Sequence, residues 1–145
     1  MRVRILLAGS VAACAIPALA LAGPKAMHPE LSAKLVGSVE IPKGSPKGHG
    51  IVNFTLDAAK GTVCWHFEGI GGIDKPVVAH IHKGPAGKVG PVLVPLGGTY
   101  KAKGCTSAAK KTVEAIESDP NAYYANIHTA KYPNGAIRGQ LHAGD

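Results

Sequence analysis

Ile51-Val52-Asn53-Phe54-Thr55-Leu56-Asp57-Ala58-Ala59-Lys60-Gly61-Thr62-Val63-Cys64-Trp65-His66-Phe67-Glu68 is the stretch that decides the fold. Val52, Phe54 and Leu56 alternate with Asn53, Thr55 and Asp57, and Val63, Trp65 and Phe67 alternate with Cys64, His66 and Glu68. A period of two marks a strand with one buried and one solvated face. Between the two runs, Asp57 to Gly61 reads as a hairpin connection, with Gly61 free to adopt positive φ. The pair is therefore an antiparallel hairpin with Trp65 as a core aromatic and His66 as a solvated strand residue.

The same reading extends outward in both directions. Upstream, Leu31, Ala33, Leu35, Gly37, Val39 and Ile41 alternate with Ser32, Lys34, Ser38 and Glu40, which predicts a strand over residues 31–41. Pro42 to Gly48 breaks it. Downstream, a strand carries His80 and His82, the loop Lys83 to Lys88 follows, and Pro91 to Leu96 is another apolar strand. One helix is predicted from Ala108 to Ser118, capped by Thr106 or Ser107, with Val113, Ile116 and Ala109 facing inward and Pro120 stopping it. Tyr123 to Thr129 and Ala136 to His142 form a last hairpin, turned through Tyr132-Pro133-Asn134-Gly135. Short strands punctuated by Gly and Pro predict an all-β fold, an antiparallel Greek-key sandwich or barrel with one short helix before the last hairpin.

The N-terminus reads differently. Arg2 and Arg4 precede an apolar run from Ile5 to Ala22, and Ala20-Leu21-Ala22 supplies the small residues of a signal-peptidase site. Residues 1–22 are read as a signal peptide, with cleavage after Ala22 or, as a second choice, after Ala20. Pro17 and the alanine-rich end argue against a stable membrane span. Val11-Ala12-Ala13-Cys14 also resembles a lipobox, the minority reading in which Cys14 carries lipid. Removing 22 of the 145 residues leaves 123, residues 23–145, enough for one domain with one core and a body of about 30–142. The formal charge falls from +7 to +5 with loss of Arg2 and Arg4. The remaining lysines are dispersed over loops without interleaved aromatics, which excludes a nucleic-acid partner.

Once Cys14 is removed, Cys64 and Cys105 are left, and an even pair in an oxidising compartment reads as a disulfide. Neither lies in a CxxC motif. There is no Ser-His-Asp order, paired-acid cleft or GxxxxGK loop, so no catalytic residue is assigned.

The polar residues that stand out are histidines. His80 and His82 are two apart on one strand and share a face, about 6–7 Å apart at the Cα atoms. His128 lies on a late strand, with Asn126 on the same face. Two readings stand: a buried polar cluster that ties loops together, or a site for an ion that accepts neutral imidazole, copper or zinc. In the second, Asn126 orients an imidazole. The ring nitrogens of His80, His82 and His128 must then approach within about 4 Å of one another, since each ligand lies near 2 Å from a shared ion.

Ala79-His80-Ile81-His82-Lys83-Gly84-Pro85-Ala86-Gly87, Gly90-Pro91-Val92, Tyr124-Ala125-Asn126-Ile127-His128-Thr129 and Gly135-Ala136-Ile137-Arg138-Gly139-Gln140-Leu141 occur in that order. Together they resemble the CHRD domain, the module described in chordin and found as single exported domains in bacteria. The resemblance spans roughly residues 30–142 and supports the pairing of Cys64 with Cys105. It implies no generally established biochemical activity. In order along the chain, His80, His82 and His128 also resemble three copper ligands of copper/zinc superoxide dismutase, and Arg138 resembles its substrate-guiding arginine. A bridging histidine and a zinc loop are missing, and Arg138 has the alternative of pairing with a strand neighbour.

Three functions follow as expectations. The first is an exported binding or structural module of the periplasm or cell surface with an unidentified extracellular or periplasmic ligand. The second is a copper- or zinc-binding protein using the three histidines. The third is a metal-dependent oxidoreductase of the superoxide dismutase kind.

Overall fold

A computed structural model describes residues 28–144. Residues 1–22, read above as a signal peptide, and Cys14 lie outside the described residues. Nine strands follow in order: β1 (Glu30–Val36), β2 (His49–Asp57), β3 (Thr62–Gly71), β4 (Pro76–Lys83), β5 (Val92–Pro95), β6 (Lys103–Ser107), β7 (Tyr123–Thr129), β8 (Ile137–Gln140) and β9 (His142–Ala143). The helix α1 (Lys110–Ser118) separates β6 from β7.

The decisive stretch folds as its alternation requires. β2 pairs antiparallel with β3 in a register that sets Val52 against Phe67, Phe54 against Trp65 and Leu56 against Val63, all buried. At the tip, the Lys60 N–H donates to Asp57 Oδ1 at 2.9 Å and Gly61 takes φ 66°. A side chain there would cost strain in a left-handed conformation and strike the Ala108 carbonyl.

The strands form one antiparallel sheet in the order β5-β4-β7-β8-β1-β2-β3-β6, with β9 on β1. Crossovers from β3 to β4, β5 to β6 and, through α1, β6 to β7 give Greek-key connectivity. The sheet curls until the segment after β5 bridges its ends. Leu96 N–H donates to Ala79 O and Tyr100 N–H to Val77 O on the β4 side, and Phe67 N–H to Ala102 O on the β3 side. The result is a nearly closed barrel around Leu35, Phe54, Leu56, Trp65, Ile81, Ile127 and Ile137. Val113 and Ile116 of α1 complete the core at one end.

Three expectations need correction. The first strand ends at Val36, where a 3₁₀ turn at Gly37–Val39 folds back on the next segment, with Gly44 N–H donating to Gly37 O. The turn breaks the period of two, so Val39 is 51% and Ile41 37% exposed while Glu40, read as solvated, is only 3% exposed. Second, Lys103–Ser107 is a strand that pairs with β3. Thr106 and Ser107 therefore belong to a ladder and do not cap the helix, which begins at Lys110 with Ala109 at its N-cap and no side-chain cap bond. Third, Ala109 is exposed, leaving Val113 and Ile116 as the helix's buried residues.

The Cys64–Cys105 disulfide is formed. It joins directly opposed residues of β3 and β6 on the outer surface of the barrel. No helix among the described residues is long and apolar enough to cross a membrane.

Candidate metal site

β4 and β7 are far apart in sequence and adjacent in space. Their register sets His80 opposite Asn126, Val78 opposite His128 and His82 opposite Tyr124. Ala79, Ile81, Ala125 and Ile127 point into the core, so alternation turns His80, His82, Asn126 and His128 outward on one surface. β8 continues that surface, with Arg138 opposite Asn126 and Gln140 opposite Tyr124.

This outer surface is only partly open to solvent: His80 and His128 are half-buried. The loop from Gly84 to Pro91 folds across it and is held by the side chains beneath. Gln140 donates to Gly84 O at 2.8 Å, and Arg138 Nη2 donates to Lys88 O at 2.7 Å and Pro85 O at 3.3 Å. The Gly90 N–H donates to the Tyr124 hydroxyl at 3.2 Å. Tyr124 also stacks on the His82 ring at a centroid distance of 4.7 Å and carries the Arg138 guanidinium 3.3 Å above its own ring. As a result His82 is 7%, Asn126 2% and Arg138 2% exposed.

Backbone carbonyls fix the histidine tautomers. His82 Nδ1 lies 2.9 Å from Gly90 O, and His128 Nδ1 lies 2.9 Å from Pro133 O. A carbonyl only accepts, so each Nδ1 carries the proton and each Nε2 presents a lone pair. His128 Nε2 faces His80 Nδ1 at 3.1 Å and Asn126 Oδ1 at 3.0 Å. His82 Nε2 is buried without a partner. One donor atom from each of His80, His82 and His128 lies within 4.8 Å of the others. That is somewhat wider than the 4 Å expected of a closed site, and the imidazoles converge from one surface. An imidazole held by a carbonyl on one nitrogen, with the other turned inward, is the usual support of a metal-ligating histidine.

The electrostatics keep the His80 and His82 rings neutral. Burial pushes the His80 pKa down to about 4, helped by the neighbouring His128 and His82. Burial also lowers His82, while its bond to Gly90 opposes the shift. Neutral imidazole is the form that binds a transition metal.

The sequence-derived site residues are thus brought together: His80, His82, His128, Asn126 and Arg138 form one cluster. Arg138 makes no ion pair with a strand neighbour; it props the covering loop and the Tyr124 ring. Cys64 and Cys105 lie elsewhere, on the outer surface of β3 and β6. Among the remaining histidines, His66 is exposed beside Glu68, its Nδ1 3.2 Å from Glu68 Oε1, and His49 and His142 are also exposed.

Sequence reasoning missed Glu40. It lies beside this cluster, with Oε1 accepting from its neighbour Ile41 N–H at 3.1 Å and Oε2 unpartnered. Burial raises its pKa, while the Ile41 N–H, the Arg138 charge and the Asn126 amide oppose that rise. Gly135 makes the room: at φ 132° it has no side chain, and a Cβ there would overlap the Glu40 carboxylate. No pattern marks Glu40 in the chain, because it occupies a polar slot of an alternation that the 3₁₀ turn interrupts.

The elements make an all-β Greek-key barrel in which three histidines converge under a loop. The profile of the CHRD domain matches residues 31–141, and the chain belongs to the CHRD domain family. Comparison with the curated proteins and with the solved structures gave no match.

Proposed function

We propose that this is an exported binding module of the CHRD family, and that its ligand is a copper or zinc ion held by His80, His82 and His128. Residues 23–145 form the mature domain in this reading, after removal of a signal peptide. The Cys64–Cys105 bridge and the signal-like N-terminus support a periplasmic or extracellular location.

The observation that carries the metal reading is the convergence of lone pairs. Pro133 and Gly90 use up the N–H groups of two rings, so both Nε2 atoms face inward, one of them buried with no donor to meet it. An unmet buried acceptor costs on the order of 1–3 kcal/mol. A purely structural polar cluster would be expected to satisfy itself; this one is completed by a cation. Mature oxidised protein without a tag should be titrated with Cu(II) and Zn(II) by calorimetry, beside a His80→Ala/His82→Ala/His128→Ala variant. One-to-one binding by the native chain, lost in the variant, is the expected outcome. No binding by the native chain would make the histidines structural and return the module to an unidentified ligand. If copper binds, superoxide turnover by the loaded protein tests the oxidoreductase reading.

A further inference from the structure

Four buried side-chain atoms among the described residues lack a hydrogen-bond partner: Glu40 Oε2, His82 Nε2, Arg138 Nη1 and Glu117 Oε1. The first three belong to residues that surround Asn126. Its Cα partners across the sheet are His80 on one side and Arg138 on the other. Its amide neighbours the His82 ring and the Glu40 carboxyl. Unsatisfied polar atoms gathered around one residue are of the kind that an ordered water or an ion completes.

Asn126 Oδ1 is the informative atom. It lies 3.0 Å from His128 Nε2, and Pro133 has already fixed that nitrogen as an acceptor. Two lone pairs at that distance repel unless a positive charge stands between them. Turning the amide over would relieve this contact, but it would set Oδ1 against the Glu40 carboxyl. With its oxygen toward the histidines, the NH₂ group is instead on the side of the Glu40 carboxyl, whose Oε2 is unpartnered.

We propose that Asn126 Oδ1 is a fourth ligand beside His80, His82 and His128, that Glu40 is the positioning residue that holds it, and that the ion is tetragonal Cu(II). The proposal rests on the metal reading above. The spacing decides the ion. Donors about 2 Å from one ion and 3.0 or 3.1 Å apart subtend bites of about 97–102°, between the right angle of a tetragonal site and the tetrahedral angle, so the widest pair discriminates. The widest spacing, 4.8 Å, needs to close by under 1 Å to become a trans pair. A tetrahedral site would require every pair near 3.3 Å, a larger closure. Three imidazoles and an amide oxygen suit tetragonal Cu(II). Glu40 also supplies a buried carboxylate near an ion that Arg138 would otherwise repel.

The test compares the native chain with Asn126→Leu, Asn126→Asp and Glu40→Gln, using Cu(II) affinity by chelator competition and the electron paramagnetic resonance spectrum. Ion-free melting curves confirm that each variant folds. The native protein should give a tetragonal spectrum and bind Cu(II) more tightly than Zn(II). Asn126→Leu should lose at least tenfold in Cu(II) affinity and change its hyperfine coupling. Asn126→Asp, which keeps an oxygen donor, should retain binding. Glu40→Gln should lose about tenfold, as removal of a ligand's support does. A native protein that binds no ion overturns the metal reading itself. A native protein that binds while Asn126→Leu shows the same affinity and spectrum overturns the fourth ligand and leaves the three histidines standing. An unchanged Glu40→Gln overturns the positioning role alone.

Discussion

The outer surface of β1, β2, β3 and β6 and the outer surface of β4, β7 and β8 are built by the same alternation. On the first, Asn53, His66 and Glu68 stand in solvent, with Asn53 Nδ2 donating to Glu68 at 3.2 Å. Water satisfies whatever the side chains do not. On the second, the Gly84–Pro91 loop closes over His82, Asn126 and Arg138 and takes them out of bulk water. The comparison teaches that polar residues in outward slots are not equivalent. Covering them turns ordinary surface groups into a cluster with unmet donors and acceptors, and a buried cluster of that kind is where a ligand gains most.

The two surfaces should therefore respond differently to change. The largest effect is expected at the disulfide, which closes a separation of 41 residues. Replacing Cys64 and Cys105 with serine should cost about 3–4 kcal/mol of stability by the chain-entropy argument. Chemical denaturation checks that value, and copper affinity at 25 °C should stay unchanged while the variant is folded. A joint loss of stability and affinity would show that the surfaces are coupled and break the comparison.

Acid should act on the other surface. His80 and His82 have pKa values lowered by folding, so below about pH 6.5 the unfolded chain takes up protons that the native rings refuse. Stability of the ion-free protein is then full above that pH and declines as pH falls from about 6.5 towards about 4, where His80 titrates. Urea midpoints between pH 7.5 and 4.5 measure the slope. A His80→Ala/His82→Ala variant should flatten it; an equal slope in both would assign the acid sensitivity to other groups.

The smallest effect belongs to the solvated face. His66→Ala removes an exposed contact to Glu68 and should change stability by less than about 0.5 kcal/mol, with ion affinity untouched. A larger shift in the melting transition would mean that this surface, too, is more than solvated.

Much of this was readable in the chain. Val52 to Phe67 specified two strands, their inward residues and their turn, because period and turn chemistry are local properties. The spacing of His80 and His82 placed both rings on one surface for the same reason. The last hairpin followed from alternation and its Asn-Gly turn, and Cys64 with Cys105 from counting. Lys103–Ser107 was not readable: five residues with a glycine and little alternation become a strand only because β3 offers an unpaired edge. The helix start moved for the same cause, since Thr106 and Ser107 were claimed by that ladder.

The sequence by itself determined which residues turn outward on each strand, since a side chain's direction along an extended backbone needs no knowledge of its neighbours. The tertiary structure alone decided which outward residues meet. It set β7 beside β4, bringing His128 to His80 across 48 residues of chain. It laid the Gly84–Pro91 loop over them, and through the 3₁₀ turn at Gly37–Val39 it carried Glu40 into the interior beside Asn126. Those outcomes depend on long-range strand pairing and on the exclusion of water, which alternation along one strand does not encode.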